Sequence, residues 1–441
     1  MPPIRECFSS LQPVLFLCRM QLKADAHFAQ HLDASDPLNR FRREFLIPER
    51  AGKEQVYFLG NSLGLQPRRT KAAMQKVLDQ WQHWGVEGFF MGAEPWLQYH
   101  DQLVQPLAAV VGALPQELVV MNSLTVNLHL LLVSFYQPKG KRNKILCEAK
   151  AFPSDQYLLE THVRQRGLNP EDIIIEVQPR NGETHIRTAD ILAAINNHRD
   201  ELALVFWGGV NYYTGQLFDM RAITAAGKAA GSLVGFDLAH AAGNVPLELH
   251  RWNVDFASWC SYKYLNSGPG AIGGAYVHER YHHDPNLQRF AGWWGYQKET
   301  RFLMQKGFVP ITAAEGWQLS TPSPILYAAH QAALDLFAEA GMEAILEKGK
   351  SLSDYLLYLL EVTGVLASGK LQVLTPMDAK GCQVSLLIPS TGKAVFQQLT
   401  DAGIFADWRE PDVIRVAPVP LYNTYSEVWH FCQVLKEALS V

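Results

Sequence analysis

From Leu118 to Val277 the chain alternates short apolar runs with helix-like segments, and this alternation restricts its fold more than any other feature. The β-rich runs are Leu118–Met121, Lys144–Cys147, Ile173–Val177, Ala203–Trp207, Leu233–Phe236, Phe256–Trp259 and Ala271–Val277. Segments with helical character, such as Asp190–Asn196 and Met220–Ala230, lie between several of them. Apolar strands that alternate with helices favour a doubly wound, mainly parallel sheet. About seven strands make one large α/β domain more natural than two small ones.

The pattern changes at Thr321-Pro322-Ser323-Pro324, where two prolines predict a bend. An amphipathic helix is expected over Leu326–Ala340, ending at Gly341. The later elements are a helix at Lys350–Val362 and β-like runs at Gln383–Ile388 and Val413–Val416. We therefore predict an N-terminal segment (1–64) that packs with a small C-terminal α+β domain (323–441), and a large domain (65–322) between them. Residues 1–19 precede a second methionine, Met20, and we expect them to be a leader with little structure or to lie before the true start.

Composition excludes several classes of protein. The 441 residues carry a formal charge of −4, without the basic patch that nucleic-acid binding requires. The longest early apolar run, Val14–Cys18, is too short for a signal peptide or a membrane span. Six cysteines, at positions 7, 18, 147, 260, 382 and 432, form no CxxC pair and suggest neither a disulfide framework nor a metal site. We expect a soluble protein of a reducing compartment, the cytoplasm.

A lysine, Lys263, follows the apolar run Phe256–Trp259 within Ser261-Tyr262-Lys263-Tyr264. Taken alone, such a residue is more often a strand-end lysine whose ammonium reaches water. The alternative is a nucleophilic lysine that forms a Schiff base with a carbonyl cofactor.

Asp237 strengthens the second interpretation, because it also ends an apolar run, Leu233–Phe236. Open α/β sheets bind ligands at the carboxyl ends of their strands. Pyridoxal phosphate (PLP) needs both a lysine for its aldehyde and a carboxylate for its pyridine nitrogen. On their own, Asp237 would more often be a helix N-cap and His240 a structural histidine.

Two further strand ends carry suitable groups. Asn122-Ser123-Leu124-Thr125 opens a helix, where hydroxyls and free N–H groups suit a phosphate, although an ordinary N-cap is the simpler interpretation. In Phe152-Pro153-Ser154-Asp155 the aromatic ring could stack on a planar cofactor or be a core residue. Gly268-Pro269-Gly270-Ala271-Ile272-Gly273 matches G-x-G-x-x-G, but it leads into a β-like run, so we do not expect a dinucleotide site.

Several long motifs resemble those of kynureninases. They occur in the family's order and are YFLGNSLG (57–64), MNSLTVNLHL (121–130), FPSD (152–155), YTGQ (213–216), FDLAHAAGN (236–244), SYKYLN (261–266) and RVAPVPLYN (415–423). The resemblance implies a fold-type I PLP-dependent transferase-like fold, related to class V aminotransferases. It implies a homodimer with active sites at the interface. The implied reaction is hydrolysis of L-kynurenine to anthranilate and L-alanine, or of the 3-hydroxy analogue, in tryptophan catabolism (the kynurenine pathway) and NAD (pyridine nucleotide) biosynthesis.

The resemblance also assigns the site residues. Lys263 matches the Schiff-base lysine, Asp237 the partner of the pyridine nitrogen, and His240 a neighbour of the cofactor. The other cofactor-binding positions are Leu124, Thr125 and Tyr262 at the phosphate, Phe152 and Asp155 in the FPSD loop, Gly208, and, from the other subunit, Trp293 and Thr321. Gly208 stands where some members carry serine, and Thr321 where some carry asparagine.

Arg415 matches the arginine that grips the substrate α-carboxylate through a bidentate fork. Tyr262 is a candidate general acid/base at the γ-carbonyl. Phe89, where some members carry histidine, favours kynurenine over its 3-hydroxy analogue.

Two alternatives stay open. A cysteine desulfurase would need a mobile nucleophilic cysteine, for which Cys382 is the nearest candidate, although a core thiol is the simpler interpretation of this residue. A catalytically inactive binding protein on the same fold would not need both Lys263 and Asp237.

Overall fold

The computed structural model describes residues 22–440, so the prediction for residues 1–19 lies outside its range. The described chain begins with one helix and five two-residue strands: α1 (Ala26–Ser35), β1 (Phe45–Leu46), β2 (Glu49–Arg50), β3 (Lys53–Glu54), β4 (Val56–Tyr57) and β5 (Gln66–Pro67). Asp25 starts α1 by accepting a hydrogen bond from the backbone N–H of Phe28, as an N-cap aspartate does.

A seven-stranded sheet forms the centre of the molecule. Its strands are β6 (Leu118–Val120), β7 (Lys144–Glu148), β8 (Ile174–Val177), β9 (Leu202–Gly208), β10 (Leu233–Asp237), β11 (Phe256–Trp259) and β12 (Gly274–Val277). They are arranged in the order β6-β12-β11-β10-β9-β7-β8, and only β12 runs against the others. The prediction of a mainly parallel sheet of about seven strands is confirmed.

Helices cover both faces of this sheet. They are α2 (Thr70–Trp84), α3 (Tyr99–Val111), α4 (Leu124–Phe135), α5 (Pro153–Gln165), α6 (Pro170–Ile173), α7 (Thr188–Asn197) and α8 (Met220–Ala229). Alternate strand residues face opposite layers: Leu204 and Phe206 pack in one core with α4 and α5, whereas Val205 and Trp207 pack in the other with α3, α7 and α8. Burial on both faces explains why these strands read as continuous apolar runs.

A second, four-stranded sheet lies in the C-terminal part. The remaining elements are α9 (Pro324–Ala340), α10 (Met342–Val362), β13 (Gln372–Val373), β14 (Val384–Leu387), α11 (Gly392–Asp401), β15 (Ile404–Phe405), β16 (Asp407–Arg409), β17 (Val413–Val416) and α12 (Tyr425–Ala438). The antiparallel order β13-β14-β17-β16 agrees with the expected β-like runs. The helix expected from Lys350 begins earlier, at Met342, directly after Gly341.

The N-terminal segment packs against this C-terminal part. β4 pairs with β15 in parallel, and the Lys348 ammonium lies 2.7 Å from the Asp36 carboxylate in a buried ion pair. The domain limits at 64/65 and 322/323 stay predictions. Between residues 22 and 440, no helix combines the length and the apolar character that crossing a bilayer requires. The cysteines at 147, 260, 382 and 432 are all buried free thiols.

Candidate active site

The predicted site residues come from the carboxyl ends of neighbouring strands. Asp237 is the last residue of β10, and Lys263 lies four residues beyond the end of β11. The two strands pair in parallel, with Asp237 opposite Ser258. Parallel pairing brings their carboxyl ends to one edge of the sheet, where open α/β folds bind ligands.

Lys263 contacts His240 directly. Its Nζ lies 3.0 Å from His240 Nε2 and 5.9 Å from the centre of the Phe152 ring. Burial, and then the charges of Lys263 and Arg415, hold the pKa of His240 well below its ordinary value. His240 is therefore neutral and can accept a hydrogen bond from the lysine, while its Nδ1 is buried without a partner among the described residues.

Asp237 and Asp155 are neighbouring buried carboxyls, and each affects the pKa of the other. Burial first, and then the charge of Asp237, raise the pKa of Asp155 well above its ordinary range. Burial also raises the pKa of Asp237, which accepts a 2.7 Å hydrogen bond from the backbone N–H of Ala239. Two adjacent buried carboxyls cannot both ionise cheaply, so Asp155 keeps a proton beside the Asp237 carboxylate.

The hydroxyls expected near a phosphate meet between two helix N-termini. The Oγ1 of Thr125, in the first turn of α4, lies 2.8 Å from the Oγ of Ser154 in the first turn of α5. Leu124 begins α4, and the side chain of the N-cap Ser123 makes no capping bond, so helix N–H groups are free there. Two helix starts that share hydroxyls make a suitable anion site.

The protein groups fit pyridoxal phosphate. The buried Nδ1 of His240 and Oγ of Ser261 both lack a partner within residues 22–440, which is rare unless a ligand or water serves them. The Phe152 ring is 43% exposed beside Lys263, so it is free to stack on a planar ring. A buried acid, a lysine and an anion site thus all lie after the carboxyl ends of strands of one sheet.

Tyr262 lies at this edge with its side chain half-buried. Burial, and then the neighbouring Cys260, raise the pKa of its hydroxyl above the ordinary value, so it is neutral at physiological pH. A neutral phenol can donate a proton to a developing negative charge.

Arg415 is buried in β17 and already has partners. Its Nη2 pairs with Asp407, and its Nη1 donates to the Tyr212 carbonyl, while its Nε has no partner in the described part of the chain. Asp407 is held in turn by Ser62 Oγ, 2.6 Å away, and by Arg409 Nε, 3.0 Å away. The arginine expected to bind a carboxylate is thus oriented by a protein carboxylate and a carbonyl.

Phe89 and Trp293 pack among aromatic side chains near Trp294, and Thr321 lies at the surface. Phe89 packs edge-on against Trp96, with 5.2 Å between ring centres, and lies 6.1 Å from the Trp294 ring. Trp293 is 45% exposed, and Thr321 is exposed as well. Within residues 22–440, no hydrogen bond links these three side chains to Lys263 or Asp237.

Neither the G-x-G-x-x-G motif nor Cys382 has the structural surroundings of a functional site. Gly268–Gly273 forms a loop that leads into β12 and opens no helix, as a dinucleotide site would require. Cys382 is buried beside Tyr264, and burial raises the pKa of its thiol to about 12. A buried neutral thiol is a poor nucleophile, which disfavours desulfurase chemistry at this cysteine.

Sequence reasoning missed Glu148, Tyr212, Asp407 and Arg409. Glu148 is the last residue of β7, one position beyond the predicted run, so the strand-end rule that found Asp237 would also have found it. Asp407 and Arg409 lie in a three-residue strand with no apolar run to mark it. Only the pairing of β16 with β17 brings them to Arg415.

Comparisons with known proteins agree with this geometry. Residues 56–380 match the family model "Aminotransferase class-V", and residues 345–435 match "Kynureninase C-terminal domain". Kynureninase from Flavobacterium johnsoniae is 51% identical over 95% of this chain and 99% of its own length. Kynureninase from Stenotrophomonas maltophilia is 51% identical over 91% of this chain and 95% of its own.

Solved structures share the fold at low sequence identity. A C-DES mutant with glycine covalently linked to its PLP cofactor has a TM-score of 0.71 at 19% identity, covering 86% of this chain and 96% of its own. The apo cysteine desulfurase from Thermococcus onnurineus has a TM-score of 0.73 at 17% identity, covering 91% and 98%. With half its residues shared with kynureninases over nearly its whole length, the chain belongs to the kynureninase family, on the class V aminotransferase fold.

Proposed function

We propose that the residues around Lys263 give this chain kynureninase activity. The reaction is hydrolysis of the Cβ–Cγ bond of L-kynurenine, or of its 3-hydroxy analogue, to the corresponding anthranilate and L-alanine. One observation carries the proposal: Lys263, His240 and the Asp155–Asp237 pair meet at one sheet edge in a chain that is half identical to kynureninases. The reaction is a step of tryptophan catabolism, and we propose that it also serves NAD biosynthesis, in the cytoplasm.

Each part of the cofactor has a protein group to hold it. Pyridoxal phosphate, when bound, supplies the electron sink that carbon–carbon cleavage beside an amino group requires. Lys263 would hold its aldehyde carbon, and Asp237 would face its pyridine nitrogen. Phe152 would cover its ring with Asp155 and Gly208 close by, and Leu124 and Thr125 would bind its phosphate at the start of α4.

Proton transfer falls to Lys263 and Tyr262. The amine of Lys263 is oriented by His240 Nε2 and is the group that moves the proton at the substrate Cα. Tyr262, kept neutral by burial, is the candidate acid at the γ-carbonyl. Replacing Tyr262 with Phe should slow carbon–carbon cleavage more than the first spectral change on mixing with substrate. Equal slowing of both would contradict this role.

Arg415 is the proposed partner of the substrate α-carboxylate. The guanidinium of Arg415 is buried, so an ionic hydrogen bond that it makes is strong. Its Nη2 pairs with Asp407, and its Nε has no hydrogen-bond partner within residues 22–440. Arg415→Lys keeps the charge but loses the planar fork, so KM should rise by ~10-fold or more.

We also propose a homodimer that completes the site. Phe90, Trp293 and Phe302 form an exposed aromatic patch, with 5.6 Å between the ring centres of Phe302 and each of the other two. Leu303 and Met304 extend this apolar surface. Exposed patches of this kind mark contact surfaces. In a twofold dimer, Trp293 and Thr321 of one subunit would serve the cofactor of the other.

Product analysis tests the function. Purified holoenzyme should convert L-kynurenine to equal amounts of anthranilate and L-alanine, and release of neither product would refute the proposal. Paired steady-state kinetics test substrate choice: Phe89 favours the less polar ring, so kcat/KM should be larger for kynurenine. Phe89→His should shift the ratio toward 3-hydroxykynurenine, and an unchanged ratio would remove Phe89 from the substrate site.

A further inference from the structure

Glu148 is a buried carboxyl for which the proposed reaction has no use. It ends β7 and is 4% exposed. Its Oε2 accepts a 3.1 Å hydrogen bond from Asn211 Nδ2, and its carboxyl also lies beside the backbone N–H of Gly208. Burial raises its pKa to about 7. An acid buried near Asp237 is costly, so its presence there calls for a reason beyond packing.

Asn211 fixes the turn that follows β9. Its Oδ1 accepts hydrogen bonds from the backbone N–H groups of Tyr213 (3.0 Å) and Thr214 (2.8 Å). The backbone closes the same turn, since Asn211 N–H donates to the Gln216 carbonyl over 2.8 Å. Both ends of the Asn211 amide are therefore in use: the oxygen holds the turn, and the nitrogen ties that turn to Glu148.

Tyr212, in this turn, contacts both Phe152, which would stack on the cofactor, and Arg415, which would bind the substrate carboxylate. Its ring packs edge-on against Phe152, with 5.3 Å between ring centres. Its carbonyl accepts hydrogen bonds from Arg415 Nη1 and from Gln383 Nε2, the latter at 3.1 Å. The position of the Tyr212 peptide thus sets where one arm of the Arg415 guanidinium can lie.

Gly208 makes room for the glutamate. A Cβ at residue 208 would lie 2.6 Å from Glu148 Oε1, closer than such atoms approach. The missing side chain lets the carboxyl reach both the Gly208 N–H and Asn211.

We infer that Glu148 and Asn211 act as a positioning pair, which holds Tyr212 so that its carbonyl orients Arg415 toward the substrate carboxylate. The inference rests on the proposed function, and it assigns neither residue to the chemistry itself. Losing the pair should impair binding of the amino-acid carboxylate and leave Lys263 and Asp237 in place.

Exchanging the carboxyl and amide groups between positions 148 and 211 provides the test. In Glu148→Gln, one amide N–H group faces either Gly208 N–H or Asn211 Nδ2, so one contact becomes donor against donor. In Asn211→Asp, two carboxylates face each other. In the double variant, the new amide at position 148 can donate to the new carboxylate at position 211 and still accept from Gly208 N–H, while that carboxylate still accepts from the turn. We expect KM to rise about 10-fold in Glu148→Gln, kcat to change less than about 2-fold, and the double variant to recover most of the loss.

L-Alanine binding, followed by the absorbance of the holoenzyme, isolates the carboxylate contact. Its Kd should rise in parallel with KM. Glu117→Gln is the matched control: Glu117 is also buried, accepts from the backbone N–H groups of Leu114 and Glu279, and precedes β6, an edge strand far from β7 in the sheet. It should lower thermal stability without changing KM.

Two results would overturn the inference. One is a Glu148→Gln variant that, like Glu117→Gln, loses stability with no change in KM. The other is a double variant no better than the single ones. Failure of the proposed function would look different, because unmodified holoenzyme would then release no anthranilate at all.

Discussion

The amine of Lys263 lies 3.0 Å from Nε2 of His240, whose other ring nitrogen, Nδ1, is buried without a hydrogen-bond partner within residues 22–440. Burial and the neighbouring cations lower the pKa of His240, so it is an acceptor and not a rival cation. The pair joins the end of β10 to the segment after β11, and it sets the direction of the lysine side chain.

His240→Phe should therefore lower kcat/KM by about 10-fold or more, because the lysine loses its acceptor while the ring volume is kept. Thermal stability should change little by comparison. His83→Phe, at an exposed position, is the matched control. A kcat/KM within twofold of the unmodified enzyme would show that Lys263 does not depend on His240.

Phe152→Leu should weaken cofactor binding several-fold, since aromatic stacking contributes roughly 0.5–1.5 kcal/mol beyond buried area. The affinity can be measured by titrating the apoenzyme with pyridoxal phosphate. Tyr157→Leu removes a 65% exposed ring from α5, the helix that begins directly after Phe152, and should leave the affinity unchanged. Similar losses in both variants would argue against stacking on Phe152.

His330 should make the protein acid-sensitive. It is fully buried, with Nδ1 2.7 Å from Ser267 Oγ, and burial lowers its pKa to about 3. The pKa of this histidine in the unfolded chain is about 6.5. Below that pH the unfolded chain binds a proton at His330, whereas the folded protein does not. Stability should fall as pH falls, by up to about 1.4 kcal/mol per pH unit from about 6.5 toward 3.

His330→Gln should flatten this dependence, even if it lowers stability at neutral pH through poorer packing. Thermal unfolding midpoints measured from about pH 7 to about pH 5 give the slope. His83→Gln, an exposed control, should retain the steep slope. A slope in His330→Gln as steep as in the unmodified protein would contradict the assignment.

The aromatic patch of Phe90, Trp293 and Phe302 should be a dimer contact. Phe302→Lys places a charge within it and should shift the protein toward monomers in sedimentation, with a parallel loss of cofactor and activity. Met377→Lys, at a 55% exposed position elsewhere, should stay dimeric and active. An active monomeric Phe302→Lys protein would refute the shared site.

The sequence was most informative where one local rule was sufficient. Strands buried on both faces must be apolar, so the runs ending near Phe236 and Trp259 were recognisable, and the polar residues after them marked the site. Helix α10 was predicted too short because Gly349 weakens the local helical signal. In the structure Gly349 packs against Pro420, a contact from a distant part of the chain.

The remainder of the site depends on pairings that no local pattern records. Asp407 reaches Arg415 only because β16 lies beside β17, and Asn211 meets Glu148 only because β9 lies beside β7. The roles proposed for Trp293 and Thr321 would depend on a second subunit. Family motifs supplied those roles, whereas composition and periodicity could not.

The central claim is that Lys263 holds pyridoxal phosphate for kynurenine cleavage, and borohydride reduction of the holoenzyme followed by peptide mapping tests it most directly. We predict loss of the yellow absorbance and one stable pyridoxyl label, on Lys263. The Lys263→Ala protein should carry no label and release no anthranilate. A label on another lysine, or undiminished anthranilate release by Lys263→Ala, would contradict the account.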